Sequence, residues 1–171
     1  MNKRALGRTG LQVSEIGFGC GNVGGLIIRG GHQERVKAVA RAIELGINYF
    51  DTAPSYGRGV SERNLGLALK ELKASVYVGT KVGLLPGEFT DIKGAVVRSV
   101  DDSRSRLGRD RVDLVQLHNR IGVQRNVAEA VLSAKKSKSS SSLSERMVIT
   151  TWISRRIRWS KSGRIVRSIT R

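Results

Sequence analysis

At 171 residues, with 39% hydrophobic residues and a mean hydropathy of -0.23, the chain has the size and balance of one globular domain. It holds no apolar run long enough for a bilayer-spanning helix, and the basic MNKRALGRTG start has no apolar stretch behind it, so neither membrane insertion nor secretion is expected. Cys20 is the single cysteine, which excludes an internal disulfide and a thiolate-rich metal centre, makes a reducing cytoplasm the expected location, and leaves the net charge of +17 as the unusual number.

That charge is uneven. Residues 1–120 hold 19 Lys and Arg against 12 Asp and Glu, a net of +7, whereas the last 51 residues hold 12 against Glu129 and Glu145, a net of +10. Lys3 to Val13, with a turn at Arg8-Thr9-Gly10, reads as a hairpin. Val13 to Gly19 reads as a strand that runs into the glycine-rich Gly19-Cys-Gly-Asn-Val-Gly-Gly25. A helix is expected from about Gln33, with Val36, Val39, Ala40 and Ile43 on one face and Gly46 as its stop. Ile47 to Phe50 is a short strand ending at Asp51. Ser61 is the expected cap of a helix whose Leu65, Ala68, Leu69 and Leu72 keep one face apolar. Val76 to Val78 predicts a strand ending at Lys81. Asp91 opens a third helix, with Ile92, Ala95, Val96, Ser99, Val100 and Ser103 inward, closed by Leu107-Gly108. Val112 to Leu117 is a fourth strand, ending at His118.

Helices between successive strands require those strands to run parallel, in either a (β/α)8 barrel or a doubly wound sheet. After Arg120 the pattern dissolves. Residues 126–132 fit one short helix, Ser133 to Ser144 is rich in Ser and Lys, and 145–171 hold both tryptophans without a sustained period. The expected division is 1–132 as the folded unit and 133–171 as a basic, disordered or non-native tail.

Chemistry concentrates at the strand ends. Parallel strands bring their carboxyl ends to one rim, so Asp51, Tyr56 in the following loop, Lys81 and His118 are expected to converge. Singly they are ordinary: a strand-end cap, a packed aromatic, a solvated amine, a core histidine. Together they form a proton-handling set. Tyrosine, with a free pKa of roughly 10, is a poor acid near neutrality, and a nearby ammonium moves it toward general-acid strength. Asp51 can hold Lys81, and His118 can orient a carbonyl oxygen. His32 lacks a partner motif, Cys20 reads as a small buried filler, and no set of residues has metal-ligand spacing.

The stretch Gly46-Ile-Asn-Tyr-Phe-Asp51-Thr-Ala-Pro-Ser-Tyr56-Gly, followed by Ser61-Glu62, closely resembles the aldo/keto reductase signature. Gly79-Thr80-Lys81 and Asp113-Leu-Val-Gln-Leu-His118-Asn119 match that family's next motifs in order, and Leu6-Gly-Arg-Thr-Gly10 with Ile16-Gly-Phe-Gly19 resembles its opening. The resemblance covers about residues 3–132. It implies a TIM barrel of which about the first four β/α units are present. It also implies NADPH, or NADH, as hydride donor for reducing a small aldehyde or ketone to an alcohol. Tyr56 would then be the general acid, Lys81 its tuner, Asp51 the partner of Lys81, and His118 the carbonyl-orienting group, with Gly19, Asn22 and Asp51 beside the cofactor.

The chain departs from the family after about Leu132, and a truncated or frame-shifted product of weak or absent activity is expected. Open sheet edges would favour self-association into dimers. The alternative is a non-catalytic remnant whose basic tail binds polyanions, although no specific nucleic-acid motif is present. A doubly wound dehydrogenase is disfavoured. Gly19-x-Gly21-x-x-Gly24 fits its glycine spacing, but Glu44 falls inside a helix and the four strand-end residues go unexplained.

Overall fold

The computed structural model describes residues 1–118 and, as backbone, 148–150. The chain opens with an antiparallel hairpin, β1 (Lys3–Ala5) against β2 (Gln12–Ser14), whose turn places Gly7 and Gly10 at positive φ. The expected hairpin is present. The expected continuous strand Val13 to Gly19 is not. Ser14 Oγ donates to the Ile16 carbonyl at 2.7 Å, and the Asn48 side chain grips both Ser14 N and the Gln12 carbonyl. These bonds compete with a strand ladder and bend the chain at Glu15-Ile16, so only Phe18–Gly19, β3, joins the main sheet.

That sheet holds β3, β4 (Tyr49–Asp51), β5 (Tyr77–Val82), β6 (Leu114–Leu117) and β7 (Val148–Thr150), all parallel and neighbours in chain order. Order without reversal is the winding of a (β/α) barrel; a doubly wound sheet reverses at a switch point. The sequence reading stops at four strands. The structure adds the fifth inside the segment expected to be a tail, with Leu114 opposite Val148. The expected helix at 126–132, and the rest of that tail, lie outside the described residues.

Between the strands run α1 (Leu26–Arg29), α2 (His32–Glu44), α3 (Val60–Glu71) and α4 (Ile92–Leu107), with α2 packed on α3 and α3 on α4. Their apolar stripes meet one face of the sheet. Val36, Val39 and Ala42 of α2, Leu65, Ala68 and Leu69 of α3, and Ala95, Val96 and Val100 of α4 are buried with Phe50, Val78 and Val115. Ala40 is only half-buried, its expected place in the core going to Ala42. No helix among the described residues is long and apolar enough to cross a membrane.

Helix ends follow local chemistry. Asp91 caps α4, its side chain accepting from Gly94 N at 2.9 Å, and Gly108 ends that helix at φ 60°. Gly46, at φ 88°, follows α2 as expected. Ser61 is not the cap of α3. Gly59 holds that position and Ser61 lies buried inside the helix, where its hydroxyl donates to the Cys20 carbonyl at 2.9 Å and meets Thr52 Oγ1 at 2.8 Å. It ties α3 to the loop after β3 instead.

Candidate active site

Alternation along the strands sorts the side chains. Phe50, Val78 and Thr80 face the helices, while Tyr49, Asp51, Gly79 and Lys81 share the opposite face. Asp51 and Lys81 thereby meet. Lys81 Nζ donates to Asp51 Oδ2 at 2.6 Å and to the Thr52 carbonyl at 2.9 Å. The lysine side chain is 10% exposed, and an ammonium so enclosed is tolerable because a carboxylate and a carbonyl replace its water.

Tyr56 lies in the turn after β4, its N–H bonded to the Ala53 carbonyl. The turn brings its ring under Lys81, with Nζ 4.8 Å from the ring centroid, a cation–π distance. His118 ends β6, its N–H donating to the Val82 carbonyl at 2.8 Å, and its ring meets Tyr56 edge-on with centroids 6.0 Å apart. Partial burial, then the Lys81 charge, hold the His118 pKa below its ordinary 6.5, with Asp51 opposing. The imidazole is therefore neutral near pH 7, with one N–H to donate. All four strand-end groups gather in one place.

Gly19, Gly21, Asn22, Val23 and Gly24 face Asp51 and Tyr56 across an open cleft of about 390 Å³. Backbone forms much of the first wall. A Cβ at Gly19 would meet nothing within 4 Å, and one at Gly21 would touch the Tyr56 ring at 3.6 Å. The three residues expected beside a cofactor, Gly19, Asn22 and Asp51, all line this cleft.

Below the rim, two buried carboxylates tie the elements together. Glu62, fully buried in α3, accepts from Thr80 Oγ1 at 2.6 Å and from Arg106 Nε at 2.5 Å, linking β5, α3 and α4. Asp113 accepts from Val78 N at 2.9 Å and lies near Arg109 and Arg111, joining the starts of β5 and β6. Among the described residues no three His, Cys, Asp or Glu side chains converge as metal ligands.

Three features escape a reading of side chains along the sequence. The Thr52 carbonyl is backbone and leaves no residue-type signal. Tyr49, two before Asp51 on the same strand face, donates to Asp51 Oδ1 at 3.5 Å, and strand alternation alone would have located it. Cys20, buried beneath the cleft, has its thiol pKa raised to about 12 by burial and then Asp51, with Lys81 opposing.

Comparison with known proteins agrees with this geometry. Residues 15–139 match the profile of the Aldo/keto reductase family. L-galactose dehydrogenase of Arabidopsis thaliana is 40% identical over 119 residues, covering 68% of this chain and 37% of that protein. The holo form of an aldo-keto reductase from Bacillus halodurans superposes with a TM-score of 0.69 at 32% identity, over 89% of this chain and 51% of that one. An aldo-keto reductase from Klebsiella pneumoniae in complex with NADPH aligns with a TM-score of 0.57 at 28% identity, over 71% of this chain and 41% of that one. The chain spans about two fifths of the length of the curated relatives it matches. With Asp51, Tyr56, Lys81 and His118 gathered at the strand ends of a sequentially wound parallel sheet, and sequence and structure matching throughout that region, the chain belongs to the aldo/keto reductase family.

Proposed function

We propose that this chain carries the proton-handling part of an NAD(P)H-dependent carbonyl reductase that converts a small aldehyde or ketone to an alcohol. The observation that supports it best is Lys81, fixed between Asp51 and the Thr52 carbonyl and lying 4.8 Å from the Tyr56 ring at the cleft. Tyr56 gives its phenolic proton to the carbonyl oxygen. Lys81 stabilises the negative charge left behind, and Asp51 holds the ammonium in place. His118, neutral and edge-on to Tyr56, donates a hydrogen bond that orients the carbonyl beside the acid.

The cleft suits a nicotinamide. Its first wall is rich in glycine, with open space where a Cβ would stand at Gly19 and Gly24, and Asn22 and Asp51 offer polar groups to a carboxamide or ribose. NADPH, with NADH the alternative, would rest against Gly19, Asn22 and Asp51 and supply the hydride. Among the described residues the cleft is open, and turnover by this chain alone is expected to be weak.

Fluorescence titration of the purified chain tests the reading. Saturable quenching by NADPH that competing NADP⁺ abolishes is expected. Binding only to an unrelated polyanion, lost at high salt, would favour the basic-tail alternative and sink this one. Tyr56→Phe should retain cofactor binding and lose reduction of an aromatic aldehyde; equal rates in variant and parent would remove Tyr56 as the acid.

A further inference from the structure

Tyr49 lies in a slot that the neighbouring strands leave for it. On one side is Gly79 of β5, where a Cβ would stand 2.3 Å from Tyr49 Oη; on the other is Gly17, where a Cβ would stand 3.0 Å from Tyr49 Cδ1. Two missing side chains on opposite sides of β4 let one large ring lie across the sheet and carry its hydroxyl toward Asp51. The two oxygens of that carboxylate are then divided: Oδ2 takes Lys81 at 2.6 Å and Oδ1 takes Tyr49 Oη at 3.5 Å.

We propose that Tyr49 is a positioning residue of this site, its hydroxyl holding the Asp51 oxygen that Lys81 does not take, so that the carboxylate cannot swing and the ammonium stays over Tyr56. The proposal rests on the reductase reading for what the site does, but its geometry stands without it. A phenol beside a carboxylate acts as donor only while protonated, and the site keeps it so: burial, then the Asp51 charge and the hydrogen bond, push the Tyr49 pKa well above the ordinary 10. Tyr56, the reacting phenol, instead lies against the cation. One carboxylate–ammonium pair thus presents opposite charges to two tyrosines, Tyr49 against the carboxylate as a fixed donor and Tyr56 against the ammonium.

The test uses the full chain labelled with ¹³C at tyrosine Cζ. The chain has three tyrosines, at 49, 56 and 77, so each resonance is identified by substitution. In the parent, the Tyr49 resonance should stay unmoved through pH 11, about one unit past a free tyrosine's midpoint. In Asp51→Asn it should titrate at lower pH than in the parent. In Tyr49→Phe the Tyr56 resonance should shift as Lys81 moves, while Tyr77→Phe, which alters the register partner of Tyr49 on β5, should leave Tyr56 in place. Gly79→Ala keeps the hydroxyl but drives it aside, and should reproduce the Tyr49→Phe shift. Circular dichroism establishes that each variant is folded at the pH used. A Tyr49 resonance indifferent to Asp51→Asn, or a Tyr56 resonance indifferent to Tyr49→Phe, overturns the proposal. Failure to bind NADPH with these shifts intact would overturn the reductase reading and leave the positioning role standing.

Discussion

Gly66→Ala is the sharpest probe of how this fold is held, because two effects of known size oppose each other. Gly66 lies in the interior of α3, where alanine should stabilise the helix by about 1 kcal/mol on propensity alone. Yet its missing Cβ is where α4 makes its closest approach. A methyl there would stand 2.2 Å from the Leu107 carbonyl oxygen and 2.7 Å from its carbon, against a floor of 3.0 Å for real contacts. Both atoms belong to backbone and no rotamer relieves the overlap, so the helices must part by most of an ångström. Overpacking of this kind costs about 1–3 kcal/mol, and rigid backbone on one side of the clash argues for the upper end. The net expectation is a loss of about 2 kcal/mol, or a fall in Tm of roughly 6–12 °C for a unit of this size. Thermal and urea denaturation followed by circular dichroism measure it. Ser105→Ala, on the exposed side of α4, serves as the control and should be neutral or slightly stabilising. A Gly66→Ala protein as stable as the parent would mean that α3 and α4 are not in this close contact, and the Glu62–Arg106 link between them would fall with it.

Glu62→Ala should cost about 3–5 kcal/mol in urea denaturation, since it strands Arg106 and the Thr80 hydroxyl inside the fold; a loss under 1 kcal/mol would contradict the buried network. Glu62→Gln should cost less, its amide oxygen still accepting from Thr80. By NMR, His118 should titrate below 6.5, with Lys81→Met raising its midpoint and Asp51→Asn lowering it further; the reverse ordering would misplace the three groups. The folded His118 pKa is depressed, so folded protein binds fewer protons: its stabilising contribution is present above pH 6.5 and is lost as pH falls through the folded value. Cys20, with its pKa near 12, should be about one part in ten thousand thiolate at pH 8. Iodoacetamide should therefore spare it in the native chain and modify it in urea; rapid native labelling would contradict its burial.

What was legible in the sequence, and what was not, divides by the range of the interaction. Asp91 and Gly108 are readable as the ends of α4 because a cap is satisfied within three or four residues of itself. Asp51, Lys81 and His118 are readable as one cluster despite their separation, because parallel strands impose a common rim whatever the sequence between them. Ser61 misleads because its hydroxyl is claimed by partners 41 and 9 residues away, and capping chemistry is visible only where the competing partner is local. The break between β2 and β3 depends on Asn48, 34 residues on. Val148–Thr150 has no period to detect in three residues; its strand character comes from β6 alongside it.

The placement of the four strand-end groups bears on how the proposed activity is divided within the fold. Asp51, Tyr56 and Lys81 sit on consecutive strands and one turn, and His118 follows the next strand, so all four groups are assembled by β4, β5 and β6. Its supports are equally local: Thr52 follows Asp51, Glu62 and Thr80 bridge α3 to β5, and Tyr49 shares the strand of Asp51. Holding a dinucleotide is a different demand, because a long ligand needs contacts distributed around a mouth, and the described residues line an open cleft between the Gly19–Gly24 loop and Asp51 with Tyr56. In the proposed function, acid geometry and cofactor affinity are therefore separable. Tyrosine and histidine titrations report the first without any hydride transfer, and a native-like Lys81–Tyr56 coupling alongside weak NADPH binding is the combination this division predicts.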